Sequence, residues 1–155
     1  MKLKVGDQAP DFSALDQKGE EHKLADYKGR WLLLYFYPKD DTPGCTTEAC
    51  TIRDNYADFK KIKAVVLGVS VDNVASHVKF VHKYKLPFIL LADEDKVIVK
   101  AYGAWGKKKF MGREYMGTSR ISFLIDPQGK IAKIYDPVKP AKHAAEVLAD
   151  LEELV

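Results

Sequence analysis

Seven consecutive apolar residues, WLLLYFY from Trp31 to Tyr37, stand between Gly29 and Pro38 and leave the chain few architectures to choose from. The run has no polar alternation, so a strand built from it is covered on both faces and needs helices above and below. It is far short of the roughly 20 residues that a membrane span requires. AVVLGVSV (Ala64 to Val71), Phe88 to Leu91 and Ile121 to Ile125 repeat the pattern. DPQGK, at Asp126 to Lys130, places Pro and Gly where a tight turn uses them, so Ile121–Ile125 and Ile131–Tyr135 are expected to pair antiparallel. Near the N-terminus, DFSALDQKGEEHKLADYKG reads as an edge hairpin around Gln17-Lys18-Gly19.

Helical patterns separate these strands. Cys45, Ala49, Ile52, Tyr56 and Phe59 recur at spacings of 4, 3, 4 and 3, which puts them on one stripe facing the sheet. A second helix is predicted over 73–84 with Val74, Val78 and Val81 inward, and a short one over 95–102, ending near Gly103. A last helix is predicted from about Pro140, burying Ala144, Val147, Leu148, Leu151 and Leu154. The expected fold class is α/β, with an N-terminal hairpin, a mixed, mostly parallel central sheet and helices on both faces. Residues 1–155 are the length of one domain. Gly103 to Ser119 is the one long irregular segment, of a length usually functional or mobile in a compact domain. Its lysines and aromatics, GAWGKKKFMGREYMG, read either as a solvated basic run with aromatics tucked beneath or as a collar or docking surface beside a site.

Net charge is +3 with both signs interspersed, too weak and too mixed to imply a nucleic-acid partner. MKLKVGDQAPDF has no apolar core of a secretory signal, so a cytoplasmic protein without membrane attachment is expected. In that setting two cysteines are too few for a disulfide framework and point to metal or redox chemistry. Tetrahedral zinc wants four ligands at short spacings, and His22, His77, His82 and His143 are scattered. No metal or cofactor is expected. His77 and His82 read as exposed or core-edge residues.

The two cysteines, Cys45 and Cys50, lie five apart in YFYPKDDTPGCTTEAC. With Thr42 as N-cap and Pro43 as first helical residue, Cys45 falls in the first turn, where free N–H groups and the helix dipole favour a thiolate. Asp40 and Asp41 oppose this, so a cation is wanted, and the segment itself supplies only Lys39. Five residues turn Cys50 about 140° from Cys45 and separate the Cα atoms by roughly 8.7 Å in an ideal helix. Disulfide partners need about 7 Å or less. An intact helix therefore cannot hold a Cys45–Cys50 bridge. Either the thiols never meet, or the first turns unwind when they do.

Pro38, Thr42 and Cys45 form Pro-x-x-x-Thr-x-x-Cys, followed by Glu48, and this resembles the active-site signature of the peroxiredoxins. With Cys50, YPKDDTPGCTTEAC is similar to the Q-type, or bacterioferritin comigratory protein, group. GDQAPDF, VLGVSVD, YGAWGKKKFMGREYMG and FLIDPQGKI extend the resemblance along the chain. It implies a thioredoxin-like fold and a peroxidase acting on hydrogen peroxide and organic hydroperoxides. By that resemblance Cys45 is the peroxidatic cysteine and Cys50 the resolving one, giving an intramolecular disulfide reduced by thioredoxin or a similar dithiol. Thr42 donates or relays a hydrogen bond to the peroxide oxygen, Arg120 supplies the missing cation, Glu48 orients an arginine and Pro38 shields the site from water. A monomer or weak homodimer is implied. The competing readings are a general thiol–disulfide oxidoreductase, which the spacing disfavours because it is not Cys-x-x-Cys, and a redox sensor or holdase exploiting the same unwinding.

Overall fold

The structure, a computed structural model, describes residues 2–155. In chain order it comprises β1 (Ser13–Leu15), β2 (Glu21–Lys23), a 3-10 turn (Leu24–Tyr27), β3 (Leu32–Phe36), α1 (Pro43–Asp54) and α2 (Tyr56–Lys61). There follow β4 (Val65–Ser70), α3 (Val74–Tyr84), β5 (Ile89–Ala92), α4 (Val97–Ala101), β6 (Trp105–Phe110) and β7 (Arg113–Thr118). The chain closes with β8 (Ile121–Ile125), β9 (Ile131–Tyr135) and α5 (His143–Leu154).

Seven strands form one sheet in the order β2-β1-β5-β4-β3-β8-β9. Parallel pairing is confined to β3, β4 and β5, and every other pair in the sheet is antiparallel. The expected hairpins β1–β2 and β8–β9 flank this centre. All five residues of β3 are buried, and they divide by the strand's two-residue period. Leu33, Tyr35 and Tyr37 join Cys45, Ala49, Ile52, Phe80, Val147 and Leu151 in one core. Leu32, Leu34 and Phe36 join Phe12, Val69, Ile98, Val99 and Tyr102 in the other. The apolar run thus serves a thioredoxin-like sheet covered on both faces.

The sheet is mixed as expected but not mostly parallel, since only two of its six strand pairs are parallel, and four further expectations are corrected. The stripe through Cys45, Ala49 and Ile52 is buried, but the helix breaks at Asn55, where φ is −108° and ψ is 9°. Asn55 donates to the Thr51 carbonyl from both its side-chain amide and its backbone N–H, closing α1. Tyr56 is consequently only partly buried, while Phe59 in α2 regains the core. In α3 the inward face carries His77 and Phe80, and Val78 is exposed. Valine periodicity misplaces the face because His77 satisfies both ring nitrogens inside, against Asp40 Oδ2 at 2.7 Å and the Leu91 carbonyl at 3.0 Å. The last helix starts at His143, after a turn closed by Lys142 N–H to Lys139 O, and Leu154 is exposed.

The fourth correction is Gly103–Ser119. Most of this segment is a two-stranded ribbon, β6–β7, turning at Met111 and Gly112, both with positive φ as a tight hairpin turn requires. Phe110, Met111, Tyr115 and Met116 are exposed rather than tucked under. The ribbon lies outside the main sheet, so its strands carry little of the apolar alternation that reveals a strand in sequence.

Candidate active site

Strand register brings the site together. β3 and β8 pair Tyr35 with Ser122 and Phe36 with Ile121. The next residue before β8, Arg120, therefore stands beside the C-terminal end of β3, where the chain passes through Pro38–Thr42 into α1. Crevices at the carboxyl ends of the central strands are the usual binding position in such sheets.

Thr42 takes the N-cap position and Pro43 is the first helical residue, as expected, but the Thr42 side chain does not cap. Its Oγ1 donates to the Lys39 carbonyl at 2.8 Å. The first-turn N–H groups of Gly44 and Cys45 are left without a side-chain acceptor and lie at the positive end of the helix dipole. Cys45 is buried within that turn, and Cys50, half-buried, lies further along the same unbroken helix. Both thiols are free.

Arg120 Nη1 donates to Glu48 Oε1 at 2.9 Å, an ion pair with Glu48 wholly buried. Partial burial works against the arginine's charge, but the neighbouring Cys45 and Glu48 outweigh it and raise its pKa above the ordinary value. Burial pushes Glu48 up to about 7 despite Arg120, and its second oxygen has no partner among the described residues. Arg120 thus brings a positive charge close enough to Cys45 for the two to influence each other.

The two aspartates that opposed a thiolate are engaged elsewhere. Asp40, buried, accepts from Tyr37 Oη at 2.6 Å, Ser76 Oγ at 2.8 Å and His77 Nδ1 at 2.7 Å. Asp41 accepts from Lys83 Nζ at 2.7 Å and Tyr84 Oη at 2.6 Å, and these partners hold its pKa below the usual carboxylate range. Both clamps come from α3 and fix the loop after Pro38, which is half-buried at the end of β3. Neither cysteine belongs to a potential metal-ligand cluster. The one such group among the described residues is Asp16, Glu20 and His22. There Asp16 Oδ1 accepts from the Lys18 and Glu20 N–H groups, and His22 spans Asp16 and Tyr27.

Gly44, His143 and Lys108 were given no individual role by the sequence, and His77, read there as exposed or core-edge, is fully buried. His143 is buried against Ser122 Oγ at 2.8 Å, and burial pushes its pKa down to about 4. Gly44 has a definite reason to be glycine: a Cβ there would stand 2.8 Å from Arg120 Nη2. Gly44→Ala is therefore expected to displace the guanidinium and slow alkylation of Cys45 by iodoacetamide about tenfold, since small misplacements of a charged group are costly. The same change favours the helix by up to about 1 kcal/mol. Urea unfolding should show unchanged or slightly increased stability beside the slower alkylation.

The geometry combines a sheltered sulfur, helix-start donors and a guanidinium, which can hold an anion and polarise an oxygen bound beside it. Comparison with known proteins agrees. Residues 5–134 match the family model described as AhpC/TSA family. The chain is 46% identical to Peroxiredoxin Bcp of Bacillus subtilis (strain 168) over 154 residues, covering 99% of this chain and 98% of that one. It is 48% identical to Peroxiredoxin Bcp of Escherichia coli (strain K12) over 151 residues, 97% of each. Among solved structures, a Xanthomonas campestris bacterioferritin comigratory protein, studied for alkyl peroxide reduction as a trapped intermediate/ligand complex, aligns with a TM-score of 0.87. Its identity is 36%, with 92% of this chain and 91% of that one covered.

Proposed function

Because the chain belongs to the AhpC/TSA family, in its peroxiredoxin Bcp and Q branch, we propose that it reduces hydrogen peroxide and organic hydroperoxides through Cys45. The observation that carries this reading is Arg120, hydrogen-bonded to buried Glu48 beside Cys45 at the start of α1. The Cys45 thiolate attacks the terminal peroxide oxygen and the O–O bond breaks. The sulfur becomes a sulfenic acid and the leaving oxygen takes up a proton, departing as water or an alcohol. Arg120 and the N–H groups of Gly44 and Cys45 stabilise the charge developing on the oxygens. Thr42, whose hydroxyl hydrogen goes to Lys39 O, offers its oxygen as acceptor to the peroxide O–H. Pro38 covers the site against water, and Glu48 holds the guanidinium in place.

Cys50 then attacks the sulfenic sulfur, forming a Cys45–Cys50 disulfide and releasing water, and thioredoxin or a similar dithiol reduces it by exchange. Turnover therefore passes through a second conformation in which the first turns of α1 are unwound. The helix is suited to this. Thr47 and Thr51 donate their hydroxyls to the Pro43 and Thr47 carbonyls at 3.0 and 2.7 Å, back-bonding that weakens helices. Both thiols lie on one helix, so a monomer or weak homodimer suffices, and a dithiol reductant suits the cytoplasm.

A thioredoxin-coupled peroxidase assay tests the cysteine roles. Cys45→Ser is expected to lose all activity. Cys50→Ser is expected to lose thioredoxin-dependent turnover while its single oxidation by peroxide stays near the wild-type rate. Full coupled activity in Cys50→Ser would reject its assignment as the resolving cysteine. Stopped-flow oxidation of Cys45 no faster than that of free cysteine thiolate would reject the peroxidase reading, and reversible oxidation without turnover would favour a sensor.

A further inference from the structure

The three consecutive lysines of β6 are not equivalent. By the two-residue period of a strand, Lys107 and Lys109 share one face of the ribbon and Lys108 takes the other. Lys107 and Lys109 are exposed, whereas Lys108 is half-buried. On the Lys108 face, the pair next to Lys108–Tyr115 is Gly106 with Gly117, neither of which has a side chain. The Lys108 stem lies across this gap, its Cδ 3.1 Å from where a Gly117 Cβ would stand. Its Nζ donates to the Thr118 carbonyl at 3.0 Å, two residues before Arg120.

This is a poor place for an isolated cation. Burial and the nearby Arg120 guanidinium lower its pKa, and Cys45 acts in the opposite direction. One carbonyl dipole is little recompense for lost water and a like charge close by. What the location offers is negative charge, because the Cys45 thiolate, and Glu48 wherever it is ionised, share one arginine already bonded to Glu48.

We propose that Lys108 is a positioning residue for Cys45: tethered to the Thr118 carbonyl, its ammonium is the second cation that lets Arg120 bind Glu48 while the Cys45 sulfur stays a thiolate. The inference rests on Cys45 reacting as a thiolate. The charge at Cys45 acts on Tyr35 of β3 and on Arg120, Glu48 lies one turn along α1, Asp40 lies in the preceding loop, and the packed helix α5 carries His143. Tyr35 is kept neutral by burial, with Glu48, Cys45 and Asp40 acting in the same direction, and buried His143 is neutral too.

The test uses reduced Cys50→Ser protein, in which Cys45 is the single thiol. The pH dependence of thiolate absorbance near 240 nm and of iodoacetamide alkylation is measured. Adding Lys108→Met is expected to move both midpoints to higher pH and to slow alkylation about three- to tenfold below neutrality. Lys108→Arg should restore the parent profile. Lys107→Met removes the same charge one residue away, from the opposite face, and should leave the midpoint where it was. An unmoved midpoint in Lys108→Met, or an equal shift in Lys107→Met, would overturn the assignment; circular dichroism confirms that each variant is folded. Peroxide reactivity is read separately. A shifted midpoint in a protein whose Cys45 fails to reduce peroxide would leave Lys108 in place and remove the proposed function.

Discussion

Arg120→Met is expected to slow oxidation of Cys45 by hydrogen peroxide about 10²- to 10³-fold, the usual consequence of removing one donor that stabilises developing charge. Stopped-flow oxidation at fixed pH measures it, and a loss of less than about fivefold would contradict the role given to the guanidinium. The variant has a second signature, in stability. Glu48 already titrates near 7 in the folded protein because burial opposes its charge, against an ordinary value of 4.5. A carboxyl whose folded pKa is raised contributes its full stability below the unfolded value, and that contribution is lost as pH rises through the folded one. Without Arg120 the buried carboxylate has no counter-ion and its folded pKa rises further. The stability gap between wild type and variant should therefore widen by about 1 kcal/mol between pH 5 and pH 8, read by urea unfolding at both. A gap independent of pH would mean that Glu48 does not depend on Arg120 for its charge.

Asp40→Ala is expected to destabilise the protein by about 2–5 kcal/mol, because each buried donor left without its acceptor costs about 1–3 kcal/mol. Three donors, from Tyr37, Ser76 and His77, lose their acceptor at once, and two of the three residues, Tyr37 and His77, are fully buried. His77 remains bonded to Leu91 O through Nε2 and cannot turn away to water without breaking that bond as well. For a chain of this size the melting temperature should fall on the order of 10 °C. Asp40→Asn keeps one acceptor oxygen and should lose less. The loop that these bonds fix carries Thr42 into the first turn of α1, so coupled peroxidase activity should fall even where the variant is folded. A loss below about 1 kcal/mol would show that the network is not what anchors the loop.

Much of the site was legible in YFYPKDDTPGCTTEAC, because a helix start is a local event: Pro43 presets the first helical φ, and Cys45 follows within the turn. The five-residue step to Cys50 likewise follows from helix geometry alone. The inward face of α3 was not legible. Val74 and Val78 advertise apolar burial, yet His77 is the residue inside, since a polar side chain with two acceptors in reach is as well accommodated as a valine. The ribbon was hidden for the opposite reason. Its strands sit apart from the main sheet, and no core enforces an apolar alternation on them.

By itself the sequence determined whatever depends on neighbours within a turn or two: the doubly covered strand Leu32–Phe36, the hairpins, and a cysteine at a helix start. Only the tertiary structure decided which charges meet that cysteine. Arg120 and Glu48 are 72 residues apart, and they pair because β8 runs antiparallel to β3 with Ile121 opposite Phe36. A shift of one residue in that register would send Arg120 to the other face of the sheet. Hydrogen-bond partners on distant segments are chosen by how sheets register and helices dock, and no local pattern carries that choice.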